Sequence, residues 1–117
     1  MLATAAAAQD RISAQAFLDR VAGQSVSFYS AAYGHLVGVE RFEGRDQVIW
    51  QPRDRDCVRG QVSVRNDLVC FEFPELGDTE PACWAAFARG GDLVVVNQDR
   101  WEGMTQIVRF EGRAPNC

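Results

Sequence analysis

The order of apolar and polar residues changes from a helical to a twofold period near Gly23. Before it, Phe17, Leu18 and Val21 recur at the spacing that places side chains on one face of a helix. Ser13 is a residue type favoured at the N-cap, and Gly23 suits the position just past the last helical turn. The pattern therefore predicts one short amphipathic helix near the N-terminus.

After Gly23, short runs of alternating apolar and polar residues are separated by turn-forming residues, which is typical of strands joined by tight turns. The clearest hairpin turns at Asn66 and Asp67, because both residue types tolerate the positive φ that tight hairpins require. The predicted strands are residues 25–30, 36–42, 47–51, 58–65, 68–73, 83–88, 93–96 and 105–110.

Consecutive hairpins with little helix between them predict the fold class. It is mainly β: an antiparallel meander that closes into a small barrel of about eight strands, with one N-terminal helix, because closure removes the exposed edges of the sheet. A curved open sheet packed on the helix is the alternative. The chain of 117 residues has the size of one domain, and no linker or low-complexity tract divides it.

The first nine residues differ from the rest of the chain. Small residues ending in Ala-Ala-Ala-Gln resemble the cleavage end of a secretory signal peptide, although the charged start and long apolar stretch are missing. We therefore expect a signal-peptide remnant or disordered tail over residues 1–9 and a single β-rich domain over residues 10–117. An Ala-rich helix start or an appended sequence is the alternative. No other stretch approaches the roughly 18 apolar residues of a membrane span, so none is expected.

The four cysteines, Cys57, Cys70, Cys83 and Cys117, make an even set, which in a short exported chain indicates two disulfides. A zinc site is the weaker interpretation, because the chain has no Cys-x-x-Cys pair and its one histidine, His35, lies far upstream. The expected compartment is therefore an oxidising one, either a periplasm or the extracellular medium.

The predicted hairpins restrict how the cysteines can pair. A turn at residues 66–67 places Cys70 opposite residue 62 or 63, so its Cα atom lies well beyond the roughly 7 Å bridging limit from that of Cys57. The following turn brings Cys70 and Cys83 nearly opposite each other. Cys70–Cys83 with Cys57–Cys117 is therefore favoured. Cys57–Cys83 with Cys70–Cys117 remains open if the strands are not sequential neighbours.

The charge pattern argues against a nucleic-acid partner. The formal net charge is −4, and all twelve basic residues are arginines that alternate with acids. Nucleic-acid binding needs a clustered excess of basic residues instead. Coding bias in a GC-rich genome accounts for the arginine usage. A row of arginines that binds carboxylates or phosphates is the functional alternative.

Residues that could carry catalytic chemistry are sparse. His35 is the candidate general base at neutral pH, and its neighbours Tyr33 and Gly34 place it in an exposed turn. No Gly-x-Ser-x-Gly motif is present, and two disulfides leave no free cysteine nucleophile. The acidic segments 54–56 and 72–80 lack the Gly and terminal Glu of a calcium loop. We therefore expect a protein that is not an enzyme and has no cofactor or metal site.

Aromatic and charged residues in the predicted loops are candidates for binding. An exposed loop tryptophan is one of them, because aromatic residues dominate interface hot spots; a loop folded back over the core is the alternative. The binding candidates are Trp101, Arg53, Arg55, Tyr33 and His35.

The leader segment, the strand pattern and the cysteines together resemble, in general plan, the small disulfide-bonded periplasmic β-barrel proteins of bacteria, which include lysozyme inhibitors and lipocalin-like carriers. No family motif matches residue by residue, so no functional residue is carried over. The resemblance implies an exported binding or interaction module, an inhibitor or a carrier, whose partner is a protein or a small ligand.

Two other functions remain as alternatives. An accessory structural subunit of a cell-envelope complex would be favoured if the apolar strand 93–96 lay exposed at a sheet edge. A small exported hydrolase would use His35 or the acidic loop residues, and it is the weaker hypothesis because the chain offers no recognisable nucleophile.

Overall fold

The computed structural model describes residues 9–77, 80–99 and 101–117. In these ranges the chain forms nine strands, one α-helix and a short 3₁₀ turn. In chain order they are β1 (Gln9–Ile12), α1 (Ala14–Val21), β2 (Ser25–Ser30), β3 (Leu36–Phe42), β4 (Gln47–Pro52), β5 (Val58–Arg65), β6 (Leu68–Glu72), the 3₁₀ turn (Pro74–Leu76), β7 (Ala82–Arg89), β8 (Asp92–Asn97) and β9 (Thr105–Arg109).

Strands β2 to β9 form a closed antiparallel barrel. Each pairs with the next strand along the chain, and β9 pairs back with β2 through residues such as Val108, which lies opposite Phe28. The predicted fold class, a mainly β meander closed into a small barrel of eight strands with one N-terminal helix, is therefore confirmed. The open-sheet alternative is wrong, because the β2–β9 pairing leaves no free edge there.

Strand β1 is an addition that the sequence pattern did not predict. It pairs with the second half of β7, where Ile12 lies opposite Ala86, while β6 pairs with the first half of β7. The predicted leader, residues 1–9, lies outside the described residues except for Gln9, which begins β1. Its assignment as a signal-peptide remnant stays a prediction, as does the domain boundary at residue 10.

Helix α1 closes one end of the barrel, which we call the helix end. The Ser13 side chain caps it by accepting a hydrogen bond from the Ala16 N–H at 3.0 Å. The predicted apolar face is buried, and the Phe17 ring meets the Phe42 ring edge-on at 6.2 Å between centroids. The Asp67 carboxylate accepts a hydrogen bond from the Ala14 N–H at 2.9 Å, which attaches the helix start to the β5–β6 turn.

The connections between strands alternate between the two barrel ends, since neighbouring strands are antiparallel. Segments 43–46, 66–67 and 90–91 lie at the helix end. The Asn66 and Asp67 backbones both have positive φ, 50° and 58°, as their residue types predict. The β2–β3, β4–β5, β6–β7 and β8–β9 connections lie at the opposite end, which we call the loop end.

The four cysteines, all within the described residues, form two disulfides. Cys70 lies opposite Cys83 on β6 and β7, and Cys57 bonds to Cys117. This is the pairing expected from the strand register. The C-terminal tail reaches Cys57 along the outside of the barrel, where the Asn116 N–H donates to the Gln51 side chain at 2.9 Å. The tail thus ends at the loop end.

Candidate functional site

A cavity of about 290 Å³ occupies the loop end of the barrel interior. It opens between the exposed side chains of Leu76, Trp101 and Met104. Its walls are mostly aromatic and aliphatic. The described residues that line it are Phe28, Val37, Glu40, Trp50, Phe71, Phe73, Leu76, Ala82, Trp84, Val95, Trp101, Met104 and Gln106.

Two glycines let large rings lie flat against the cavity wall. A Cβ atom on Gly38 would lie 2.4 Å from the Trp50 ring, and a Cβ atom on Gly60 would lie 2.4 Å from the Phe73 ring. Because no side chain occupies these wall positions, the two rings cover the backbone and leave the space in front of them open. The Trp50 ring also meets the Phe28 ring edge-on at 5.7 Å between centroids.

Glu40 is the one acidic or basic residue among the described lining residues. It lies on β3 opposite Val26 on one side and Trp50 on the other, and only 3% of its surface is exposed. No hydrogen bond or ion pair joins it to another described side chain. Burial raises the pKa of the Glu40 carboxyl well above its usual range, because a desolvated carboxylate is disfavoured relative to the neutral acid.

Asn97, at the end of β8, orders the connection that carries Trp101. Its side-chain oxygen accepts hydrogen bonds from the backbone N–H groups of Asp99 at 3.0 Å and Trp101 at 3.1 Å. The Asp99 carboxylate in turn accepts from the Cys83 N–H at 2.7 Å. These bonds attach the β8–β9 connection to the start of β7, so that Trp101 is held at the cavity mouth.

The structure places all the predicted binding candidates at the loop end, but only Trp101 lines the cavity. Tyr33 and His35 stack on each other at 6.2 Å between ring centroids in the β2–β3 connection, beside a second pocket of about 670 Å³ that shares three lining residues with the cavity. Arg53 and Arg55 are exposed in the β4–β5 connection. The candidates therefore share one end of the molecule and do not form one site.

Most of the cavity wall, including its most unusual residue, is not identified by the sequence pattern. Glu40 lies in phase with Gly38 and Phe42 on β3, so it shares their inward face. The sequence contains one indication of this: Glu40 is an acidic residue two positions before the apolar core residue Phe42, so both side chains share one face of the strand. The signal was weak because Val37 and Val39, on the alternate positions, are apolar too. Trp84 also faces the interior, since it alternates with the disulfide residue Cys83.

Comparison of the chain with family models, with curated proteins and with solved structures finds no match. Within the described ranges, no helix is long and apolar enough to cross a membrane, and no cluster of three or more His, Cys, Asp or Glu side chains is arranged to hold a metal ion.

The two alternative functions can be compared with the positions of their residues. Strand β8, which contains the apolar run 93–96, lies between β7 and β9, and Leu93, Val94 and Val95 are buried. The exposed edge that would favour an accessory subunit is therefore not present at this strand. His35 lies in an exposed turn, outside the described lining of the cavity that contains Glu40.

Proposed function

We propose that this protein is an exported binding module that holds one small, largely apolar molecule inside its barrel. The observation that carries the proposal is the cavity of about 290 Å³ at the loop end. Its volume is near the lower limit of small-molecule sites, which span about 300–1,000 Å³, and such sites combine apolar walls with a few polar groups. The walls and the single carboxyl of Glu40 match that description.

The physical basis of binding is the removal of apolar surface from water. Rings such as Trp50 and Phe73 are only half-buried because they face the cavity. A ligand that covers them gains roughly 25 cal/mol for each Å² of apolar surface that it buries. The barrel contributes preorganisation, because the strands that carry the rings are paired on both sides. A carrier that takes up and releases a ligand through the loop end is the simplest form of this function.

The state of the cysteines supports export to an oxidising compartment such as a periplasm or the extracellular medium. Both pairs of cysteines form disulfides, and no cysteine is free. Disulfides of this kind persist in oxidising compartments and are rare in a reducing cytosol. Localisation of the natural protein in cell fractions, followed by N-terminal sequencing, tests this part of the proposal. A cytosolic pool with reduced cysteines would contradict it.

The binding proposal is tested with N-phenyl-1-naphthylamine, a neutral dye that fluoresces in apolar surroundings. We expect saturable binding to the wild type. Ala82→Phe places a ring in the cavity and should weaken binding by about tenfold or more, because the dye and the ring compete for one volume. Ala114→Phe adds the same ring to the exposed tail and should leave the affinity unchanged. Equal affinity of the wild type and Ala82→Phe would move the site elsewhere.

The rim of the loop end favours a second candidate function, the binding of a protein partner as an inhibitor would bind it. Tyr33, Leu76, Trp101 and Met104 are exposed apolar side chains of the described part of the chain, and all four lie at this end. Clustered exposed aromatics mark protein interfaces. A pull-down from cell-envelope extract tests it: a stoichiometric partner captured by wild type and lost with Tyr33→Ser/Leu76→Ser would favour the rim. A partner that is retained by this variant would argue against it.

A further inference from the structure

We infer that the cavity selects a small molecule with a protonated amine on an aromatic body, and that the amine binds the Glu40 carboxylate. The inference rests on the proposed function, because it names the ligand class of the same cavity. It goes beyond that function, since an apolar cavity alone would not distinguish a cation from a neutral molecule or an anion.

Glu40 has no partner among the described side chains. Its carboxyl faces the cavity with 3% of its surface exposed. Buried carboxylates in folded proteins are normally paired or hydrogen-bonded, since an unpaired one is costly. Among the described lining residues there is no Arg and no His, and Gln106 is the other polar side chain. A cationic ligand would supply the partner that the described part of the chain does not.

The walls around that carboxyl are rich in aromatic rings. Trp50 lies directly opposite Glu40 on β4, and Phe28, Trp84 and Trp101 line the same cavity. The faces of aromatic rings attract cations, and Trp is the strongest of them in this respect. The rings also stack on a flat ligand. A carboxylate beside aromatic faces therefore recognises both parts of an arylalkyl amine.

The same cavity should discriminate against anions. An anionic ligand in this cavity would find no cationic partner among the described lining residues, and it would be repelled strongly by Glu40 whenever that carboxyl is ionised. The charged candidates of the loop end, Arg53, Arg55 and His35, are exposed and lie outside the described lining. No described cation is thus placed inside the cavity to attract an anion. The same site should accept a neutral molecule of equal shape with intermediate affinity.

The test uses three ligands that share an indole body: tryptamine, 3-ethylindole and indole-3-propionate. Each competes for the wild type against N-phenyl-1-naphthylamine near neutral pH. We expect tryptamine to bind about tenfold tighter than 3-ethylindole, and indole-3-propionate to bind weakest. Glu40→Gln keeps the shape and removes the carboxyl, which can lose its proton when an ammonium group binds beside it. It should weaken tryptamine by about tenfold and leave 3-ethylindole nearly unchanged. Glu43→Gln, in an exposed turn, is the matched control and should change none of the three.

The outcomes separate this inference from the proposed function. If the dye and 3-ethylindole bind but tryptamine gains no advantage, the cavity is a site and the amine inference is wrong. The same holds if Glu40→Gln leaves the affinity for tryptamine unchanged, or if indole-3-propionate binds tightest. If neither the dye nor any indole binds the folded wild type, the cavity proposal fails together with the inference. Tryptamine preference that is lost only in Glu40→Gln supports both.

Discussion

The two ends of the barrel are made from the same eight strands, but their interiors are opposite in character. At the helix end, Phe17 of α1 packs against Phe42, and both rings are fully buried. At the loop end, Trp50 and Phe73 line an open cavity and are half-buried. The interior of an eight-stranded barrel is just wide enough to be filled by side chains or to hold one small ligand. This barrel is filled by side chains at one end and has an open cavity at the other.

The contrast shows how a chain of 117 residues can keep a hollow site. Apolar burial at the helix end supplies stability through packing. The loop end is restrained from outside, by the tail that bonds to Gln51 and by the Cys57–Cys117 disulfide. Restraint from outside leaves the interior open.

Removing a ring should cost much more at the helix end than at the loop end. We expect Phe17→Ala to lower the free energy of unfolding by about 3–5 kcal/mol, because it leaves a void in a closed core. Phe73→Ala should cost only about 1–2 kcal/mol, since its ring already borders the cavity and loses less burial. Urea unfolding of both variants measures the difference. Equal losses would show that the two ends share stability evenly.

Removing a disulfide should lower the free energy of unfolding more when the disulfide closes the longer loop. Cys57 and Cys117 are 60 residues apart, whereas Cys70 and Cys83 are 13 apart. In the chain-entropy account, replacing the first pair by serine costs about 4 kcal/mol and the second about 3 kcal/mol. Urea unfolding of the two double variants tests the order. A larger loss from the shorter loop would mean that the tail restrains the loop end less than we propose.

Glu40 gives the loop end a pH dependence of its own. Its pKa is raised by burial in the folded protein, whereas the unfolded chain titrates near the ordinary value of about 4.3. As pH rises above about 4.3, the unfolded state loses its proton first, so the free energy of unfolding falls until the folded pKa is passed. The free energy falls by about 1.4 kcal/mol for each pH unit between the two pKa values.

Glu40→Gln isolates this effect from the other titrating groups. The variant and the wild type should be equally stable near pH 4, and the variant should become the more stable as pH rises, until the folded pKa is passed. Glu111 has the opposite behaviour: the hydrogen bond from Tyr29 lowers its pKa, and it is unchanged in both proteins, so its contribution cancels. Urea unfolding across pH measures the difference. A difference that does not grow with pH would place Glu40 in water.

Much of the fold could be predicted because its signals are local. Three strands agree with the predicted bounds at both ends, and the other five differ by at most one residue at an end. Alternation identifies a strand, and a pair such as Asn66-Asp67 identifies a turn, without knowledge of any distant residue. Strand β1 escaped prediction because its four residues show no period and pair only with the half of β7 that β6 leaves open.

The cavity could not be predicted in the same way. Alternation tells which residues share a face, but it does not tell which face is inside or how much volume remains there. On β3, Val39 is buried on the outer face, in the region where the tail crosses the neighbouring strands, so both faces of the strand look apolar in sequence. The roles of Gly38 and Glu40 follow only from the position of Trp50, which lies opposite Glu40 on β4 and whose ring covers Gly38.

The smallest effect on stability is expected at the cavity mouth. Trp101 is 46% exposed and is held by a backbone hydrogen bond to Asn97, so Trp101→Ala should change the free energy of unfolding by less than about 1 kcal/mol. It removes part of the cavity wall, however, and should weaken dye binding severalfold. Tyr33→Ala removes an aromatic ring that is 84% exposed, at the same end and outside the described cavity lining. It should alter neither quantity.

The comparison of these two variants separates the interior of the loop end from its rim. Both side chains are aromatic, and both belong to connections at one end, so a nonspecific effect of losing a ring would appear in both. Fluorescence titration with N-phenyl-1-naphthylamine gives the affinities, and urea unfolding gives the stabilities. Loss of dye affinity in Tyr33→Ala as large as in Trp101→Ala would place the ligand on the rim, and the hollow interior would then not be the site.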